Sequence, residues 1–215
     1  MKKKIRWGVI GSAGIARRRT IPEGFLHADN AVLTAVYDIN TSANRDVARQ
    51  FGVHAAESAE ALLGSEIEAV YVATPAAAHY ENVCSAAAAG KHILCEKPLA
   101  LTVGQAEKMA ETCRRAGVQL GTAMMMRFSA QHQYALRMIQ NGDLGQMVYA
   151  RAQLSCWYPP IAGAWRQNPS LGGGGALIDM GGHCIDLLEM FMGRAVKVNF
   201  RIFVNVLSNG SQCFQ

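Results

Sequence analysis

Long apolar runs are missing from this sequence: no stretch could cross a bilayer as a helix, so no membrane partner is expected. Paired cysteines are missing too. The six cysteines, at 84, 95, 113, 156, 184 and 213, include no Cys-x-x-Cys pair and no Cys/His cluster at zinc-ligand spacing. Several lie inside apolar runs, where a free thiol behaves as a small hydrophobe. A disulfide scaffold and a metal site are therefore set aside, and a reducing, cytoplasmic setting is expected. Charge is sparse, at 17% of residues and a net +5, part of it in lysines 2–4 and arginines 17–19. Neither run is interleaved with aromatics, so both read as solvated surface and no nucleic-acid partner is expected. The first apolar stretch is broken by Arg6 and ends in the three arginines, which does not suit a signal peptide.

What is present is a chain of 215 residues, half of them hydrophobic, enough for one good core and a smaller second one. Up to residue 122 short apolar runs alternate with helical stretches, the pattern of a parallel sheet flanked by helices. Strands are expected at 5–10, 32–37, 69–74, 92–95 and 119–123, and helices near 15–27, 41–51, 58–64, 77–89 and 103–116. Thr102 stands where an N-cap belongs, and Gly90 and Gly117 stand where helices end. The pattern then changes. A helix at 129–141 precedes a long strand at 146–157, a Pro/Gly-rich loop at 158–175 and a second helix at 176–192. The last strand, 196–205, alternates apolar and polar residues, as a half-buried antiparallel strand does. Asn209-Gly210 then signals a hairpin with only five residues left, so a truncated sequence is expected. The expected architecture is α/β: a dinucleotide-binding domain over 1–122 and a partial α+β substrate and oligomerisation domain over 123–215, its sheet incomplete and mostly antiparallel.

The first strand runs into Gly8-Val-Ile-Gly11-Ser12-Ala13-Gly14-Ile15-Ala16 and then a helix. Glycine there lets the backbone turn tightly against a pyrophosphate, whose charge the helix N-terminus holds. The usual Gly-x-Gly-x-x-Gly/Ala spacing is altered, with Ala13 at the middle position and Gly14 beside it, and a ligand-free strand-to-helix turn is the plainer alternative. Asp38 ends the second strand where a carboxylate bonds the adenosine ribose. An anion there repels a 2′-phosphate, so NAD is preferred to NADP. Arg45 and the arginine run keep NADP open, and a simple turn-forming Asp remains the alternative for Asp38.

Three further segments carry chemistry: Thr74-Pro75-x-x-x-His79; Glu96-Lys97-Pro98 after the strand at 92–95; and Trp165-Arg166-Gln-Asn-Pro169 followed by Gly172-Gly-Gly-Gly-Ala-Leu-Ile-Asp179-Met-Gly-Gly-His183-Cys-Ile-Asp186. Oxidising an alcohol requires a base of near-neutral pKa, which suits His183. Asp179, four residues earlier, shares a helical face with it and can orient the ring, although such a pair is also a common surface ion pair. Lys97 stands at the carboxyl end of the sheet, where ligands bind and an ammonium can stabilise alkoxide character. Asp186, a further turn along, can share the pairing with His183. Met124-Met125-Met126 reads as flexible packing, not a metal site.

In this order, these motifs resemble the Gfo/Idh/MocA oxidoreductases over essentially the whole chain to about Gly193. The resemblance implies that Lys97, Asp179 and His183 form the catalytic group. It implies that Gly11, Ser12, Ala13, Gly14, Ile15, Asp38, Thr74, Pro75, His79, Glu96 and Lys97 lie at the cofactor, and that Arg127, Trp165 and Arg166 face the substrate. The implied activity is hydride transfer between nicotinamide and a secondary hydroxyl of a sugar, cyclitol or polyol, with homo-oligomerisation of the full-length parent through its C-terminal sheet. A catalytically inactive cofactor-binding or regulatory relative, or a non-functional fragment, is the other reading. The intact Lys97, Asp179 and His183 argue against a pure sensor. No tyrosine has a lysine four positions on, which disfavours a short-chain dehydrogenase.

Overall fold

The computed structural model describes residues 3–199, apart from 158, 160, 162, 163, 173 and 174, together with the backbone of 204–206 and 212–214. The chain divides into two compact units, Met1–Ala123 and Met124–Gln215.

The first unit is a six-stranded parallel sheet. Its strands are β1 (Ile5–Ile10), β2 (Ala31–Tyr37), β3 (His54–Ala55), β4 (Ala69–Val72), β5 (His92–Cys95) and β6 (Leu120–Thr122), in the spatial order β3-β2-β1-β4-β5-β6. The order in which strands are added reverses between β1 and β4, and open α/β sheets bind ligands at the carboxyl ends of strands at such a switch point. The central strands read as unbroken apolar runs because both of their faces are covered. On β4, Val70 and Val72 face one core with Ile10, Leu62, Val83 and Met109. Tyr71 faces the other with Val9, Val36, Ile21 and Val47. Gly8 is small for a packing reason: a Cβ there would stand 2.7 Å from Leu62 Cδ2 and 2.8 Å from Ile67 Cδ1.

Local chemistry sets the helix ends. Asn40 accepts from the Ala43 amide to start the helix Thr41–Phe51, and Thr102 accepts from Gln105 N to start Val103–Ala116. The latter stops at Gly117, whose φ is 69°. The helix after the phosphate loop, Ser12–Phe25, is wound as a π-helix, with a non-helical break at Gly14.

In the second unit the helix Ala130–Gln140 is capped by Ser129, and the helix Gly182–Met192 follows a π-wound turn, Leu177–Gly181. The expected partial α+β domain with a mostly antiparallel sheet is not what forms. Residues 146–157 carry no strand, nor do 196–199. Among the described residues the only antiparallel pairing is a two-stranded ribbon, β7 (Val204–Val206) with β8 (Gln212–Phe214). The physical reason is pairing. Alternation creates a face to bury, but a strand also needs a neighbour for its N–H and C=O groups. Among the described residues, 146–157 have no such neighbour, and Val148 and Tyr149 stand exposed at 83% and 76%. The expected Asn209-Gly210 turn lies outside the described residues, as do Gly173 and Gly174. The loop expected at 158–175 contains a 3-10 turn, Trp165–Gln167, and a short helix, Pro169–Gly172. Among the described residues no helix is long and apolar enough to cross a membrane.

Candidate active site

The phosphate loop is built by constraints on its backbone. Gly11 N donates to Tyr37 O at 2.8 Å, and Ala73 N donates to Ile10 O at 2.8 Å, so the loop is clamped between the carboxyl ends of β2 and β4. Gly11 is left-handed at φ 84°, and a Cβ there would stand 2.7 Å from Ala73 C and Thr74 N. Only glycine fits both conditions. Gly14, by contrast, faces open space, with nothing within 4 Å of a Cβ. Ala13 and Ile15, on either side of it, are half-buried.

Ser12 is turned inward. It is fully buried, and its hydroxyl donates to Asn44 Oδ1 at 3.2 Å, while Asn44 Nδ2 donates to Ala56 O at 3.1 Å. Asn44 ties the loop to the helix Thr41–Phe51, a role its place inside a polar helix stretch concealed. Asp38 accepts from Ala13 N through Oδ2 and from Asn40 N through Oδ1, both at 2.9 Å. The carboxylate thus sits at the mouth of the loop, and each oxygen keeps a further lone pair. Thr74 Oγ1 is buried and has no hydrogen-bond partner among the described residues.

These observations fit a dinucleotide. The glycine cradle leaves no room for a Cβ, the space at Gly14 is open, a carboxylate stands at ribose distance along the chain, and a buried hydroxyl lacks a partner among the described residues.

At the end of β4, His79 is fully buried, its ring nitrogens 2.8 Å from Pro98 O and 3.0 Å from Thr74 O. It holds the two strand-end segments together, and its ring does not line an open surface. Pro75 precedes the 3-10 turn Ala76–Ala78 that leads into His79. Beyond β5, Glu96 accepts from Tyr71 Oη at 2.5 Å and from Lys97 N at 3.2 Å. Burial pushes the Tyr71 phenol well up, and the charge of Glu96 adds to the effect. Tyr71 is the interaction that the sequence concealed, because an aromatic inside an apolar strand reads as core.

In the second unit, Arg127 belongs to the 3-10 turn Met125–Phe128, and its Nε donates to both oxygens of Asp186, at 2.7 and 2.8 Å. Gln133 Nε2 donates to Arg127 O at 2.6 Å, fixing that turn from the next helix. Asp186, considered as a partner for His183, is engaged by Arg127. Arg166 lies over the Trp165 ring, 4.3 Å from its centroid, and its Nε is 3.4 Å from Asp179 Oδ1. Gly172 permits this turn: a Cβ would stand 2.8 Å from Arg166 O. Asp179 lies in the π-wound turn Leu177–Gly181, and His183, 8% exposed, opens the helix that follows. Such π insertions often mark functional segments, where they re-aim side chains. Among the described residues no cluster of three His, Cys, Asp or Glu groups could hold a metal ion.

Comparison with known proteins agrees with this geometry. Residues 5–124 match the oxidoreductase family with an NAD-binding Rossmann fold, and residues 132–208 match the GFO/IDH/MocA C-terminal domain. The 1,5-anhydro-D-fructose reductase of Ensifer adhaerens is 34% identical over 189 residues, covering 87% of this chain and 56% of the relative. The structure of the Actinomadura kijaniata 3-ketoreductase KijD10 with NADP and TDP-benzene superimposes with a TM-score of 0.76 at 32% identity, over 89% of this chain and 58% of that one. A levoglucosan dehydrogenase with NADH and levoglucosan gives 0.73 at 26% identity, over 89% and 55%. The chain thus spans little more than half the length of the relatives it matches. It belongs to the Gfo/Idh/MocA oxidoreductases.

Proposed function

We propose that the chain is the dinucleotide-binding and catalytic portion of an oxidoreductase that interconverts a secondary hydroxyl and a ketone on a sugar, cyclitol or related polyol. The observation that carries this reading is the cradle at the β1–β4 switch point, where Gly11 admits no side chain and the Thr74 hydroxyl is buried without a partner among the described residues. Residues 1–122 hold the dinucleotide and residues 123–215 contribute substrate groups. The five described cysteines are free thiols, which supports a reducing, cytoplasmic setting.

When bound, the nicotinamide supplies the hydride acceptor or donor. The residues supply the rest. The Lys97 ammonium donates to the reacting oxygen and favours its alkoxide character. His183 takes the hydroxyl proton on a ring nitrogen during oxidation and returns it during reduction. Asp179 orients that ring, and the guanidinium of Arg166 balances the Asp179 charge. Trp165 supports Arg166 from below, and Arg127 with Arg166 forms the polar side toward the sugar.

NAD(H) is the preferred dinucleotide because the Asp38 carboxylate repels a 2′-phosphate. Two members of the arginine run are engaged elsewhere: Arg17 donates to Gln50 at 2.9 Å and Arg19 pairs with Glu23 at 2.6 Å.

Fluorescence titration of the chain with NADH and NADPH, read by energy transfer from its tryptophans, tests this reading. Saturable binding with NADH the tighter is the expected result, followed by turnover on a polyol panel that Lys97→Ala abolishes. Tighter NADPH would overturn the Asp38 argument alone. Folded protein that binds neither would overturn the oxidoreductase reading.

A further inference from the structure

Tyr71 is the largest fully buried side chain of the first unit, yet it carries a hydroxyl into the core. Packing gives no reason for that group, since phenylalanine would fill the same volume against Phe25, whose ring centroid is 6.2 Å away. Burying a hydroxyl is unfavourable unless it is bonded. Here it is bonded twice, to Glu96 Oε1 at 2.5 Å and to Thr20 Oγ1 at 3.1 Å.

The direction of the two bonds follows from proton counting. A phenol has one proton, and Tyr71 donates it as a hydrogen bond to Glu96 Oε1. Thr20 must then donate to the Tyr71 oxygen. Burial and the neighbouring negative charge hold the phenol protonated throughout the ordinary pH range, so the donor is permanent. The other oxygen of Glu96 accepts from the Lys97 amide at 3.2 Å. The result is a chain of bonds through three elements that converges on Glu96: Thr20 on the phosphate-loop helix donates to Tyr71 on β4, Tyr71 donates to Glu96 after β5, and the Lys97 amide donates to the same carboxylate.

We propose that Tyr71 is a positioning residue that couples the phosphate-loop helix to the Lys97 segment through Thr20 and Glu96. The coupling rests on the functional reading only for its consequence, namely that dinucleotide phosphates seated at the loop fix the backbone that carries the Lys97 ammonium. The geometry itself stands apart from that reading. Removing the hydroxyl leaves the core filled and frees Glu96 to rotate.

The test uses the full chain, uniformly labelled with nitrogen-15, as wild type, Tyr71→Phe, Thr20→Val and Glu96→Gln. Tyr71→Phe and Thr20→Val are each expected to shift the Lys97 amide resonance. NADH is expected to move that resonance in the wild type and to move it less in Tyr71→Phe. With myo-inositol, or whichever polyol the panel identifies, Tyr71→Phe is expected to lower kcat about ten- to hundredfold, KM staying within about twofold, and to displace the pH profile. A simple packing role would move neither the kcat-to-KM split nor the pH profile. A Lys97 amide that stays in place in folded Tyr71→Phe would overturn the coupling. Wild type that binds no NADH would overturn the functional reading instead, and the amide comparison among the unliganded proteins would still decide the coupling.

Discussion

The two units are made of similarly apolar sequence and use it differently. In Met1–Ala123 the four central strands pair on both sides, and Val9, Val36, Val70 and Val72 are sealed at 0% exposure. In Met124–Gln215 the apolar residues of 146–157 and 196–199 find no ladder among the described residues, and Val148 and Val196 stand at 83% and 101%. The difference teaches that hydrophobic alternation is a demand for a partner and not a structure in itself. β1 is answered by β2 on one side and β4 on the other. The segment 146–157 is answered by nothing among the described residues.

The sharpest way to break the comparison is at the loop. Gly11→Ala should lower NADH affinity by at least about a hundredfold, because the new Cβ meets the Ala73 and Thr74 backbone and the left-handed φ resists any side chain. Titration of folded variant protein reads this, and unchanged affinity would mean that the cradle is not the dinucleotide site. Next come core truncations. Leu62→Ala removes a fully buried side chain and should cost about 2–5 kcal/mol, whereas Val148→Ala in the second unit should stay within about 0.5 kcal/mol. Equal losses in denaturant melts would erase the contrast between the units. Asp186→Ala should be intermediate, about 1–3 kcal/mol, since it strips a partly buried Arg127 guanidinium of its two-oxygen partner.

The smallest effect belongs to the exposed pairs. The Arg115 side chain beside Glu111 holds its carboxyl below the usual carboxylate range. That contribution is complete at neutral pH and disappears as pH falls through the lowered value. Thermal midpoints of wild type and Glu111→Gln should therefore converge on acidification, and salt should narrow the gap at neutral pH.

Much of the first unit could be read from its residues. The strand at 5–10, the helix at 41–51 and the cap at Thr102 follow from local rules, and the structure places them at Ile5–Ile10, at Thr41–Phe51 and on the Gln105 amide. The two-residue β3 escaped notice because His54 and Ala55 carry no alternation to detect. The short helices within 158–175 were hidden by glycine and proline, which signal turns whether or not a turn of helix lies between them. The candidate site was legible as residue types in order. Its internal bonds were not: that Ser12 points to Asn44, that Arg127 grips Asp186 and that Tyr71 reaches Glu96 are facts of register across sequence gaps of 32, 59 and 25 positions.

The cysteines give the two units different chemical visibility. Cys95 and Cys113 are sealed in the first unit, and burial pushes both thiols up, away from the reactive thiolate. Cys156 of the second unit stands exposed. An alkylating reagent therefore finds Cys156 in the native chain and reaches Cys95 and Cys113 only when the parallel sheet opens. Mass spectrometry of a timed alkylation, site by site, becomes a clock for the integrity of the dinucleotide half, independent of any ligand and of any turnover.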